Sequence, residues 1–174
     1  MKITKNTPLK QVLAVGHPCK CHKCEHGCTM GSGFLVEEDI PRLAKYLQMS
    51  EEELKERLLE KEEKFNTTLW RPKILKEKGK PYGQCIFFNE KHGCSIHEVK
   101  PLQCKVSMGC SPYAEELDVW FTLNHFLNPY DPESVRQYAS YLEAGGKTLP
   151  EAELQVVVPD KILLRKILNF EIVK

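Results

Sequence analysis

Between Cys19 and Cys28 the chain reads Cys-Lys-Cys-His-Lys-Cys-Glu-His-Gly-Cys, four thiols and two imidazoles within ten residues. The Cys21-x2-Cys24 spacing lets two thiolates on one turn converge on a common metal, as zinc and iron–sulfur sites require. Cys85, Cys94, Cys104 and Cys110 complete a total of eight cysteines. Their wider gaps mean that folding, not local spacing, must bring them together. All eight, Cys19, Cys21, Cys24, Cys28, Cys85, Cys94, Cys104 and Cys110, are candidate metal ligands. They suffice for two four-thiolate sites, or for one site beside structural or redox cysteines, and spacing alone leaves that partition open.

Other groups near the thiols read more plainly. His17, His22, His26, His92 and His97 flank the cysteines, and imidazole is a common zinc ligand. Each is nevertheless read first as an exposed or supporting histidine. Lys20, Lys23 and Lys105 stand beside cysteines, where a positive charge would lower a thiol pKa. A disulfide framework is the competing use of an even cysteine count. Residues 1–16 lack the apolar run of a secretory leader, and no stretch approaches the roughly 20 apolar residues that span a bilayer. The expected location is therefore cytoplasmic, where clustered cysteines point to metal rather than to disulfides.

Composition sets the remaining bounds. With 174 residues, 41% of them hydrophobic, the chain can build a core without disulfide staples. A formal net charge of +1 argues against nucleic acid or an anionic membrane as the partner. The expected partner is a metal ion or cluster, with a protein partner left open.

The elements that must position the thiols can be read in outline. Residues 1–16 suggest a short strand or extended lead-in, with Pro8 opposing a helix through its start. The first cysteine cluster suits a loop or short helical turn, and Phe34-Leu35-Val36 a strand or helix lead-in. Asp39 is positioned to cap a helix to about Gln48, with Ile40, Leu43, Ala44 and Leu47 on its buried face. Ser50 to Glu53 forms a capping box for a second helix. That helix should carry Leu54, Leu58 and Leu59 inward and use Glu51 to Lys64 as its solvated face. Leu69 to Leu75 and Cys85 to Phe88 read as a hairpin around Gly79 to Gly83, and Glu90 to Gly93 as a turn towards Cys94. Pro101 opens a short helix carrying Cys104. Beyond Cys110 the pattern is helical over Tyr113–Phe126, where Val119-Trp120-Phe121 also suits a strand, over Asp131–Glu143, and over Pro159–Phe170, the last with Ile162, Leu163, Lys166 and Ile167 in register. Leu154 to Val158 suggests a strand. The fold class expected is α+β, small and mainly helical, with a cysteine-rich metal-centred core, a short β-hairpin and a C-terminal helical extension. The expected division is a cysteine-cluster metal-binding domain over 1–110 and a helical extension over 111–174 packed on it.

The ordered set Cys21-His-Lys-Cys-Glu-His-Gly-Cys28, Glu38-Asp39-Ile40, Cys85-Ile-Phe-Phe88 and Cys94-Ser-Ile-His-Glu-Val-Lys-Pro-Leu-Gln-Cys104 resembles the zinc- or iron-chelating cysteine-cluster family named for its CxxCxxCC motif. The resemblance covers roughly residues 19 to 110. It departs from the family where adjacent cysteines are replaced by Gly27-Cys28, and Cys19 can supply the displaced thiolate from the other side. Lys100-Pro101 stands where the family has Arg-Pro, and His97 where it has an aromatic residue. The resemblance implies a metal site, iron–sulfur cluster or zinc, and no single reaction.

The leading function is a metal-binding protein with a redox, metal-handling or structural role. Some members of the resembled family are linked to lysine methylation. That makes an iron–sulfur-dependent, S-adenosylmethionine-using protein lysine methylase-like enzyme one alternative, although no Gly-rich strand–loop–helix fingerprint is present. A zinc-stabilised protein interaction module is the other. No Ser-His-Asp order or paired carboxylates nominate a catalytic residue.

Overall fold

Short helices with clear punctuation alternate with tight hairpins, and each helix start has a local cause. The computed structural model describes residues 1–16, 21–31, 33–76 and 78–173. Helix α1, Leu9–Val15, begins directly after Pro8, whose φ of −62° and ψ of 142° make it the N-cap. This corrects the extended lead-in. Proline opposes a helix through itself but suits the position before the first turn, where its missing N–H costs nothing. Helix α2, His22–Met30, starts at Cys21 and ends at Gly31, which takes a left-handed φ of 85°.

Helix α3, Asp39–Leu47, and helix α4, Glu51–Arg57, follow. The hydroxyl of Ser50 accepts from the Glu53 N–H at 3.0 Å, closing the first turn of α4. The charged run beyond α4 is not helical. Leu59–Lys64 forms strand β1, paired antiparallel with β2, Thr67–Pro72. Phe65 and Asn66 both take positive φ between them, 49° and 55°, as a two-residue primed turn demands. Opposite charges across the ladder stabilise the unexpected strand: the Arg71 guanidinium meets Glu60 at 2.8 Å and Glu62 at 2.9 Å.

Two further hairpins are short. Strand β3, Ile74–Lys76, pairs with β4, Gly83–Cys85, and β5, Phe88–Asn89, pairs with β6, Gly93–Cys94. Both end on a cysteine. The hairpin expected from Leu69 is thus divided at Lys73, its first half pairing with β1 instead. Helix α5, Leu102–Val106, opens after Pro101 and carries Cys104. Helices α6, Ala114–His125, α7, Pro132–Glu143, α8, Leu154–Val157, and α9, Lys161–Leu168, complete the chain. Residues 154–157 are a single helical turn rather than a strand. On α9 the buried side chains are Leu164 and Ile167, while Ile162 and Leu163 are exposed.

The class is small α+β, mainly helical with two-stranded hairpins. One core gathers Val12, Leu102, Val106, Trp120, Phe121 and Tyr138, so it draws on residues from both sides of Cys110. A second gathers Leu43, Leu54, Leu59, Phe88 and Ile96 and takes in Cys85, with Cys28 and Cys94 against its edge. A small third core of Val135, Val158, Leu164 and Ile167 seats α9. Among the described residues, no helix is long and apolar enough to cross a membrane.

Candidate metal centre

The thiols fall into two groups, and α2 contributes to both. Cys24 and Cys28 are one turn apart on this helix, so they share a face. From that face Cys28 joins Cys85, Cys94 and Cys104 around one cavity of about 60 Å³. The four come from four elements: α2, the end of β4, the end of β6, and α5.

Buried polar bonds hold these elements together. Gln103 of α5 accepts the N–H groups of Gly33 and Phe34 through its amide oxygen, each at 2.8 Å. Gly33 has a φ of 111°, and a Cβ there would lie 3.1 Å from the Cys104 sulfur, so glycine lets the backbone pass this thiol. Asp39 is not the N-cap of α3, a place taken by Glu38. Its carboxylate, 2% exposed, instead accepts from the N–H groups of Val36 at 3.0 Å and Leu102 at 2.8 Å. Arg42 pairs with Asp39 and donates to the Lys100 carbonyl at 3.2 Å, fixing the start of α5 against α3.

Electrostatics tie the quartet together. Burial is the main force raising the Cys28 pKa to about 11, with a further push from Cys94 and Glu25. Burial raises Cys85 to about 12, against the stabilising N–H groups of Phe87 and Phe88. Burial carries Cys104 well above the ordinary thiol range, and Cys85, Cys28 and Cys94 add to it. Lys100 acts in the opposite sense on Cys28 and Cys104. This lysine is only 7% exposed and lines the cavity. Its ammonium donates to the thioether of Met108 at 3.5 Å, a weak acceptor for a buried charge.

The second group lies at the start of α2. Cys24 Sγ stands 3.2 Å from Cys110 Sγ and 3.7 Å from Cys21 Sγ. All three sulfurs lie within 4.8 Å of one another, an arrangement able to hold a metal ion. Cys21 and Cys24 are half-buried and Cys110 is exposed. The loop carrying Cys110 is pressed onto α2 at Gly109, where a Cβ would meet the Lys23 carbonyl oxygen at 2.3 Å. The Ser111 hydroxyl donates to the Val15 carbonyl at 3.2 Å and ties the same loop to α1.

Cys24 belongs to both places, since it also lines the quartet's cavity. Cys19, together with His17 and Lys20, lies outside the described residues. His22, His26 and His92 are exposed, whereas His97 is half-buried on the cavity wall. Lys105, read beside Cys104, is coupled to that thiol, and Lys100, which is next to no cysteine in the chain, acts on Cys28 and Cys104. Its one sequence signal was its place before Pro101 in the resembled pattern. Asp39, Gln103 and Gly109 carry no signal of this kind, because their partners are distant in the chain.

A family model named CxxCxxCC and described as a putative zinc- or iron-chelating domain matches residues 20–122. The chain belongs to that family. Its description accords with the thiol triad at the surface, and the match extends past Cys110 into α6. No curated protein and no solved structure matches the chain.

Proposed function

We propose that the chain chelates zinc or iron through two thiolate sites in redox, metal-handling or structural service. Cys28, Cys85, Cys94 and Cys104 form the buried site, Cys21, Cys24 and Cys110 form the surface site, and Cys19, outside the described residues, is a further candidate ligand. The observation that carries the reading is the meeting of four thiols from four elements on one cavity, faced by the buried ammonium of Lys100. Protonated thiols would leave that charge poorly compensated. Thiolates around a metal would supply the anion it needs.

Among the described residues, the triad's donor atoms lie close enough together to share one ion. Tetrahedral sulfurs about 2.3 Å from zinc stand about 3.8 Å apart, close to the 3.7 Å between Cys21 and Cys24. The quartet's cavity of about 60 Å³ exceeds the roughly 10–15 Å³ needed for one water-sized occupant. That room admits either a bare ion or an iron–sulfur core. Bound in the quartet, such a core would supply one-electron chemistry; zinc would supply cross-linking alone. In either case Lys100 offsets the negative charge of the cage, and the helices after residue 110 buttress the loop that presents Cys110.

Anaerobic metal analysis with visible absorption tests this, repeated on Cys104→Ser and Cys24→Ser. The expected result is a brown protein whose colour is lost in the first variant and largely kept in the second. A colourless protein with stoichiometric zinc would assign zinc to the quartet. A preparation with neither metal, its thiols all alkylated in the native state, would sink the proposal.

A further inference from the structure

We infer that the surface triad captures a thiophilic divalent cation, Zn²⁺ or Fe²⁺, and passes it along α2 to the buried quartet, with Cys24 as the thiol common to both. The inference rests on the two-site reading above and adds a direction of traffic between the sites. Three observations carry it. First, access differs: Cys110 is exposed, whereas Cys85 is buried and Cys28, Cys94 and Cys104 are half-buried. A hydrated ion meets the triad first. Second, the sites share a wall. Cys24 is 3.2 Å from Cys110 on one side and lines the quartet's cavity on the other, one helical turn from Cys28. Third, Gly27, on the same helix next to Cys28, also lines the cavity and projects no side chain from that position.

The transfer is ligand exchange with no change of oxidation state. On capture, triad thiols release protons to water as their sulfurs bind the cation. On transfer, quartet thiols release protons as each replaces a triad sulfur, and the departing triad thiolates take protons back. Thiolates exchange on such ions one at a time, so the cation is never without sulfur ligands. Cys24 and Cys28 are the pair across which the exchange begins.

The test uses the full metal-free chain, reduced and anaerobic, mixed with less than one equivalent of Cd²⁺ while sulfur-to-cadmium absorption is followed in time. Two phases are expected in the unaltered chain: a capture phase that quickens with cadmium concentration, and a slower one independent of it. Cys104→Ser should abolish the slow phase. Cys110→Ser, at an exposed position, should remove the capture phase. Losing one ligand weakens capture by about tenfold or more, so the quartet should fill correspondingly slowly, though to the same final level. Equal quartet filling rates with and without Cys110, or a single phase in the unaltered chain, would overturn the relay. A quartet that holds no Cd²⁺ at equilibrium would instead overturn the two-site reading on which the relay rests.

Discussion

The two thiol groups share a donor atom and a neighbouring residue, Cys24, but differ in how they are assembled and in their most exposed and most buried members. The quartet is assembled from four elements on the edge of a hydrophobic core and faced by a buried lysine. The triad is assembled from one helix start and one loop, with an exposed member. Burial makes the quartet costly to ionise and, once ionised by a metal, hard to reach. Exposure makes the triad easy to reach and less well guarded. The comparison teaches that equal ligand chemistry can serve retention in one place and exchange in another, with the surrounding packing deciding which.

Acid should have the largest effect on the quartet. Cys28, Cys85 and Cys104 all have pKa values raised above 9.0, so a metal must displace their protons at neutral pH. Quartet affinity should therefore rise with pH by roughly a decade per displaced proton, about a thousandfold per unit for these three. Competition titrations with a chelator between pH 6 and 8 measure this, and a slope of one decade or less would refute it. Without metal the sign reverses for stability. Folded pKa values above the unfolded one stabilise below pH 9 and lose that contribution as pH rises towards 11–12. Alkaline unfolding of the metal-free chain in that window, absent in the loaded chain, checks it.

Asp39→Ala should be the next largest change, because it strands the buried Leu102 N–H, the part-buried Val36 N–H and the Arg42 guanidinium together. A loss of about 3 kcal/mol is expected, read by urea unfolding, with quartet metal lost before triad metal. Lys100→Met keeps the volume and removes the counter-charge. Quartet affinity should fall by roughly 10- to 100-fold while the triad's is unchanged; an equal fall at both sites would contradict the assignment of Lys100 to one of them. Gly109→Ala addresses the other side. Its Cβ would press on the Lys23 carbonyl, so Cys110 should shift from Cys24, with about 1–3 kcal/mol lost and only the triad weakened. Ser50→Ala, remote from both groups, should cost about 1 kcal/mol of stability and change neither affinity.

Punctuation residues made much of the helical part legible. Ser50 and Asp131 cap the helices expected of them, with side chains accepting from Glu53 and Glu133 at 3.0 Å. Pro101 opens the helix that carries Cys104. The errors arose where local pattern and tertiary pairing disagree. Glu60 to Lys64 looks like a solvated helix face, yet Arg71 on the neighbouring strand draws Glu60 and Glu62 into a ladder. Asp39 looks like a cap because such residues usually are, and its real partner at Leu102 is 63 positions away. On α9 the choice of buried face belongs to Val135 and Val158, which nothing in the helix itself announces.

For the metal centre the division is similar. By itself the sequence determined that thiols are the working groups, that Cys21 and Cys24 can share an ion, and which family pattern they follow, since residue type and short spacing are local properties. It could not determine which distant cysteine joins which group. Only the tertiary structure decided that Cys110 sits against Cys24 while Cys28 turns to Cys85, Cys94 and Cys104. The physical reason is that hairpin ends, a glycine pressed on a carbonyl and a buried carboxylate bridging two helices set those distances, and none of them can be read from the spacing of the cysteines.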